Sequence, residues 1–342
     1  MTDLLVMLIV SGISAWLCTA WVCRYAEKLR LVKPPNHRSS HVLPTPHGGG
    51  LGIVVGGVGS GVAFAWEHGA VFWGVAGLSL LVAAVGLYDD IRGLSVRIRF
   101  IAQLLACIGL LITLSPPPVL GLPGGFVLSG LPLLFILCAF GVWWVNLFNF
   151  MDGIDGIAGG QGFFMLLFGA AAGLLAGPAS LDQPLWWWLA GLAAATLGFL
   201  LHNWPPARIF MGDVGSTYLA FMILALALLS VGAGWMTYAA WLIIGAGFVA
   251  DATVTLLRRM LAGERWYEAH RSHAYQILAR RWRSHRAVSL LLLAVNAMWL
   301  APLAWLSIQW PSWAWFFVLA AYGPLVAGAI FVGAGGVDKG YT

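Results

Sequence analysis

Long apolar stretches separated by short polar ones dominate the chain. They fall at roughly 4–23, 48–66, 71–88, 99–114, 131–150, 157–177, 185–201, 215–232, 235–257, 287–308 and 311–334. A helix needs about 20 apolar residues to cross a hydrocarbon layer of about 30 Å. The pattern therefore predicts an all-α polytopic membrane protein of about eleven transmembrane helices, the shorter ones extended by flanking residues. Pro116, Pro117 and Pro118, with Gly121, Gly124 and Gly125, break the pattern and predict an external turn. No polar stretch is large enough for a soluble domain, so residues 1–342 are read as one integral-membrane domain.

Composition agrees: 61% of residues are hydrophobic and only 9% charged, which excludes a soluble enzyme. Charge placement adds orientation. With the N-terminus outside, all 18 Lys and Arg fall on one side, at residues 24–38, 92–99, 208, 258–286 and 339. The other side receives acids such as Asp3, Glu67 and Asp182. The positive-inside rule then predicts an outside N-terminus and cytoplasmic polar loops in a multi-pass protein. The same distribution argues against nucleic acid as the partner of the net charge of +5. The first stretch has no basic residues before it and reads as a retained span, not a cleaved signal. Cys18, Cys23, Cys107 and Cys138 lie in or beside apolar stretches and read as small hydrophobes.

Against this background segment 146–156, NLFNFMDGIDG, is costly. Asn146, Asn149, Asp152 and Asp155 recur every third residue, and a carboxylate near hydrocarbon costs about 2.5–3.5 kcal/mol even on lenient insertion scales. If the segment is helical, Asp152 and Asp155 share a face. Hard oxygen ligands so placed suit Mg²⁺ or Mn²⁺ together with phosphates. Further acids and bases converge on the same side: Asp89 and Asp90 in YDDIRGLSVRIR, Asp213 after HNWPPARIFMG, and His270 and His273 in a basic loop. Asp89 and Asp90 also suit a helix cap or a salt bridge to Arg92. Loop 33–52 joins Arg38, His41 and His47 to a glycine run whose amides could cradle phosphate, although it lacks the ending of an ATP-binding loop. Acids beside arginines and histidines are consistent if a divalent cation bridges carboxylates to phosphate oxygens.

These motifs resemble the polyprenyl-phosphate N-acetylhexosamine-1-phosphate transferases. The matches are DDIRGL at 89–94, NxxNxxDGIDG at 146–156, NWPPARIFMGDVGS at 203–216 and TPHGGG at 45–50, in the family's order. Asp251 in VADATVTLLRR resembles an Asp–Thr pair of the bacterial N-acetylglucosamine branch. AHRSHAYQ departs from the family's histidine patterns, because Tyr275 and Gln276 stand where further histidines would fall. That argues against the muramyl-pentapeptide branch and is similar to O-antigen initiators that use deoxygenated N-acetylhexosamines.

The resemblance implies transfer of an N-acetylhexosamine-1-phosphate from a UDP-sugar to undecaprenyl phosphate, releasing UMP, by a multi-pass protein of a bacterial inner membrane whose N-terminus is periplasmic. It implies Asp213 as the principal Mg²⁺ ligand with Asp90 close by. Asn149, Asp152, Asp155, Asn203 and Phe210 would surround the nucleotide, Phe210 stacking on uracil. Asp89 would position or deprotonate the lipid phosphate, and Arg38, His41, Arg271 and His273 would hold the transferring phosphates. A phosphate monoester is already about nine-tenths dianionic at neutral pH, so a base is a smaller need than charge neutralisation. A cation-coupled transporter built around Asp251, or a scaffold without catalysis, is the alternative; transporters place coupling acids near the midplane. The small-residue run 56–61 would allow contact between two copies in a homodimer.

Overall fold

The computed structural model describes residues 2–32, 45–65, 69–114, 116–264 and 270–336. Nearly everything in it is helical. In chain order come α1 (Thr2–Tyr25), α2 (Leu51–Ala65), α3 (Ala70–Arg92), α4 (Val96–Thr113), a two-stranded hairpin of β1 (Val119–Gly121) and β2 (Val127–Ser129), and α5 (Gly130–Phe150). Then follow α6 (Ile157–Ala176), α7 (Pro184–Asn203), α8 (Gly212–Gly232), α9 (Tyr238–Ile244), α10 (Ala246–Leu261), α11 (Ala274–Trp282), α12 (His285–Val295), α13 (Ala301–Gln309) and α14 (Ala314–Val332).

Nine spans among the described residues are long and apolar enough to cross a membrane, and ten if the bent pair α9–α10 is one span. The remaining expected stretch is α2. Its 15 residues reach about 22 Å at 1.5 Å per residue, short of the hydrocarbon thickness. The expected turn at 116–125 is a β-hairpin, Val119 facing Ser129 and Gly121 facing Val127.

The most enclosed span is α8, which runs through the middle of the bundle. Its Tyr218 and Phe221 pack with Phe148, Phe199, Phe248 and Trp188 in one contiguous buried core. Outward positions carry bare Leu131, Phe135, Leu319 and Phe331, as expected where lipid replaces water. The small-residue run of α2 is used internally: a Cβ at Gly57 would meet Leu192 at 2.4 Å, and one at Gly61 would meet Trp188 at 2.2 Å. Those glycines let α2 approach α7 within this chain, while a Cβ at Gly59 would meet nothing in it.

α9 and α10 meet at a 72° bend at Gly245. A bend inside a bundle frees a carbonyl that must find a donor. The Ile244 carbonyl accepts from Gln161 Nε2 at 2.8 Å, and Gln161 Oε1 accepts from Asn296 Nδ2 at 2.7 Å. Asn296 opens a π-helical turn, Asn296–Leu300, between α12 and α13. The bend redirects α10 so that Asp251 sits beside the start of α11.

Candidate active site

At one end of the bundle the junctions α3–α4, α5–α6, α7–α8 and α10–α11 come together. The start of α8 is the pivot. Its N-cap, Met211, offers no side-chain acceptor to the free amides of the first turn. Asp90, from the end of α3, supplies both: Oδ1 accepts from the Asp213 amide and Oδ2 from the Val214 amide, each at 3.0 Å. The capping function suggested by the sequence is real, but it serves another helix. Gly212 has φ +74°, and a Cβ there would lie 2.6 Å from Asp90 Oδ2, so glycine is required.

Asp89 faces the other way. One oxygen accepts from the Leu94 amide, and Oδ2 pairs with Arg99 Nη1 at 3.0 Å, not with Arg92. The same Nη1 lies 3.3 Å from Asp213 Oδ2. Arg99 thus bridges the two acids from the first turn of α4. The sequence reading counted it only among the orienting charges; its spacing of ten from Asp89, across a helix break, gave no periodic signal. Beside it begins an apolar groove of about 1080 Å³, lined by Phe100, Leu104, Ile108 and Leu111 of α4, Leu134, Phe135, Cys138 and Val142 of α5, and Leu256 of α10. Its polar lining is Arg99, Asn146 and Asn149.

The segment 151–156 is a turn, not a helix. α5 ends at Phe150, and Gly156 has φ +74°. Asp152 and Asp155 therefore part company, contrary to the shared helical face expected. Asp155 is buried, accepting from the Ala207 amide at 3.0 Å and pairing with His285 Nδ1 at 3.3 Å. Asn203 is 2% exposed and spends both ends of its amide on the Gly156 N–H and the Ile209 carbonyl. These two residues hold the turn against loop 204–211. Asn149 Oδ1 accepts from Ser216 Oγ at 2.9 Å, tying α5 to α8.

Asp152 is the exception. Its carboxylate has no hydrogen bond or ion pair among the described residues. Burial pushes its carboxyl well above the ordinary carboxylate range, and the charges of Asp213, Asp90 and Asp155 push it further the same way. A crowded acid with nothing to neutralise it is a place for a cation.

The histidine loop reaches this turn through α11. Asp251 accepts from the Ala274 and Tyr275 amides at 2.9 Å each, from Thr255 Oγ1 at 3.1 Å, and pairs with His273 Nδ1 at 3.3 Å. The transporter reading needed that carboxylate free; four partners occupy it. His273 is 2% exposed, and its Nε2 has no hydrogen-bond partner among the described residues. His270 stacks on it with ring centroids 4.8 Å apart. Burial lowers His270 to about 3, helped by His273 and Arg259 and opposed by Asp251, so it is neutral at neutral pH. Of the two departures from the histidine pattern, Gln276 Oε1 accepts from the His273 amide and closes the cap of α11, while Tyr275 holds the acidic turn. Tyr275 Oη donates to the Phe150 carbonyl at 3.0 Å, and a Cβ at Gly153 would sit 2.1 Å from that oxygen. Burial pushes the Tyr275 phenol well above its ordinary value, keeping it a donor.

The glycine run does not cradle an anion with its central amides. The Gly49 and Gly50 N–H groups donate to the Phe210 and Met211 carbonyls at 2.9 Å, pairing the start of α2 with the approach to α8. His47 Nε2 lies 3.3 Å from the Asp90 carbonyl. The half-buried Phe210 follows the same pairing, and Arg271 lies beside His270 in the histidine loop. Arg38 and His41 fall outside the described residues.

Among the described residues, no three His, Cys, Asp or Glu side chains form a ready metal cage. Mg²⁺ does not need one, since it is commonly held by one or two carboxylates with waters and substrate phosphates. The hard oxygens of Asp213 and Asp152 fit that description. The oxygens of Asp90 are already engaged with amides.

Carboxylates and an arginine gathered where an apolar groove opens define an enzyme working at the boundary of lipid and water. Residues 72–231 match the family model described as glycosyl transferase family 4. Decaprenyl-phosphate N-acetylglucosaminephosphotransferase of Mycolicibacterium smegmatis is 32% identical over 315 residues, covering 83% of this chain and 77% of the relative. A probable undecaprenyl-phosphate N-acetylglucosaminyl 1-phosphate transferase of Bacillus subtilis is 29% identical, covering 84% and 80%. Phospho-N-acetylmuramoyl-pentapeptide-transferase of Thermosynechococcus vestitus is 33% identical over a shorter alignment, covering 67% and 61%. The chain belongs to the polyprenyl-phosphate N-acetylhexosamine-1-phosphate transferases, and it is a membrane-embedded glycosyl-1-phosphate transferase.

Proposed function

We propose that this enzyme moves an N-acetylhexosamine-1-phosphate from a UDP-sugar to undecaprenyl phosphate, releasing UMP, at the cytoplasmic face of a bacterial inner membrane. The groove is the observation that carries the reading. Its volume of about 1080 Å³ is at the upper end of ordinary ligand sites, and its lining is almost wholly apolar. It suits a long hydrocarbon whose headgroup stops at Arg99, beside Asp89 and Asp213. The donor enters from the water side, over Asp152, Asn149 and the histidine loop.

The roles follow from what each side chain already holds. Asp89 has both oxygens engaged, so it positions Arg99, and the largely dianionic phosphate needs no strong base. Arg99 meets the acceptor phosphate. Asp90 fixes Asp213 by capping α8. Asp213 and Asp152 would hold Mg²⁺, or Mn²⁺ in its place, which neutralises phosphate charge when bound. Asp251 orients His273, whose Nε2 is left for a donor phosphate.

We assign the product to the start of O-antigen or lipopolysaccharide synthesis, with N-acetylglucosamine or an N-acetylfucosamine-type sugar as the donor. Tyr275 and Gln276 in place of further histidines favour this over the pentapeptide reaction. The test is the purified protein with undecaprenyl phosphate, MgCl₂ and a panel of UDP-N-acetylhexosamines. UMP and lipid-linked product should appear together with one donor class. Their absence with every donor would overturn the reading.

A further inference from the structure

A pair of amides in the bundle has no part in the roles above. Asn146 Nδ2 donates to Gln103 Oε1 at 2.6 Å and to the Val142 carbonyl at 2.7 Å. This fixes which end of the Gln103 amide is spent. Its Nε2 has no hydrogen-bond partner among the described residues, although Gln103 is only 7% exposed. That donor is left open on the wall of a cavity, where an incoming acceptor can meet it.

Gln103 stands one helical turn after Arg99 on α4. Both line a small cavity of about 20 Å³, together with Asp89, Asp213 and Thr217. A volume of about 10–15 Å³ holds one water, so this cavity takes one oxygen atom and not a whole phosphate. Thr217 Oγ1 already donates to the Asp213 carbonyl at 2.6 Å. The remaining donors are the Arg99 guanidinium, which offsets the Asp89 and Asp213 carboxylates lining the same cavity, and the Gln103 amide, and an anionic oxygen there needs both. Asn146 and Arg99 also line the lipid groove, so the oxygen that reaches this cavity is one on a headgroup held there.

We propose that Gln103, held by Asn146, donates a hydrogen bond to one non-bridging oxygen of the acceptor's phosphate, making it an acceptor-side binding residue beside Arg99. The inference rests on the transferase reading and deepens it. Asn146 is a positioning residue: its amide nitrogen is spent on Gln103 and the Val142 carbonyl, and it acts by denying Gln103 the flipped orientation.

The experiment measures KM for undecaprenyl phosphate and for the UDP-sugar separately, in Gln103→Met, Gln103→Glu and Asn146→Leu. Gln103→Met keeps the volume and removes the donors; its acceptor KM should rise about tenfold, as expected for a hydrogen bond to a charged group. Gln103→Glu opposes phosphate with a second anion and should exceed it, at about a hundredfold. Asn146→Leu should shift the acceptor KM about threefold, since Gln103 remains but is free to turn. The donor KM should stay within twofold throughout, and a donor-induced rise in thermal stability certifies folding. An unchanged acceptor KM in Gln103→Met, or donor and acceptor constants rising together, would overturn the proposal. If Gln103→Met lacks the donor-induced rise, Gln103→Glu decides on the same criteria. Wild-type protein that releases no UMP would instead remove the transferase reading, a result that needs no variant.

Discussion

Two helices of the site start with a carboxylate borrowed from a neighbour, and the borrowing differs. α8 begins on Asp90 of α3, and α11 begins on Asp251 of α10. Asp90 accepts two amides, and the helix it caps is 21 residues long and packed through the core. Asp251 accepts two amides, a hydroxyl and an imidazole, and its helix has nine residues. At α8 the cap refines a helix whose place is already set by packing. At α11 the cap is a principal tie between the short helix and the bundle. The same device therefore tunes geometry in one place and maintains order in the other.

Removing each cap should break that comparison in opposite ways. Asp90→Ala should lower kcat about a hundredfold or more while thermal stability changes little, because small misplacements of a reacting group cost on that scale and α8 remains packed. Asp251→Ala should lower activity less, about tenfold, yet release α11; a lost charged cap is worth about 1–2 kcal/mol. Hydrogen exchange at the amides of 276 and 277, beyond the two that Asp251 itself accepts, should rise in that variant, whereas amides 216–218 stay protected in Asp90→Ala. Equal exchange at both starts would end the distinction.

The smallest effect, read in stability, belongs to Asp152, the acid that nobody caps. Its raised pKa means the folded protein holds this proton more tightly than the unfolded chain. The corresponding stability is present below the ordinary carboxylate range and is lost as pH rises through the raised value. Without Mg²⁺, the wild type should lose stability over that interval, and Asp152→Asn should flatten the profile and be the more stable of the two at its upper end. Activity should fall in the same variant. A wild-type profile flat in pH under chelation would show that Asp152 carries no such strain.

The contrast also shows what the sequence made legible. Helices announced themselves by apolar length, and Asp89, Asp90, Asp152 and Asp213 by standing in apolar surroundings. Roles were harder, because they depend on partners from other segments. The sequence holds Asp251 and the Ala274 amide 23 positions apart, and nothing in either spacing says that one caps the other. Arg99 looked like any cytoplasmic arginine until α3 and α4 placed it between two acids. The glycines of 48–50 suggested an anion cradle, but the amides of Gly49 and Gly50 pair with a strand of chain over 150 residues away. The three-residue recurrence at 146–155 allows either a helical face or a turn, and Gly156, with its positive φ, decides for the turn.

The bend between α9 and α10 carries a consequence for biosynthesis. Its free carbonyl is met by Gln161 of α6, and Gln161 is in turn met by Asn296, which joins the bilayer only after α12 has been made. During synthesis every acid of the site is in place before residue 296 emerges. The hydrogen bond that holds Gln161 against the bend is completed only then. The last spans therefore act as a keystone: a chain truncated before α12 would possess all the site's acids and the histidines of loop 270–273, yet lack both His285, the partner of Asp155, and the arch that holds them.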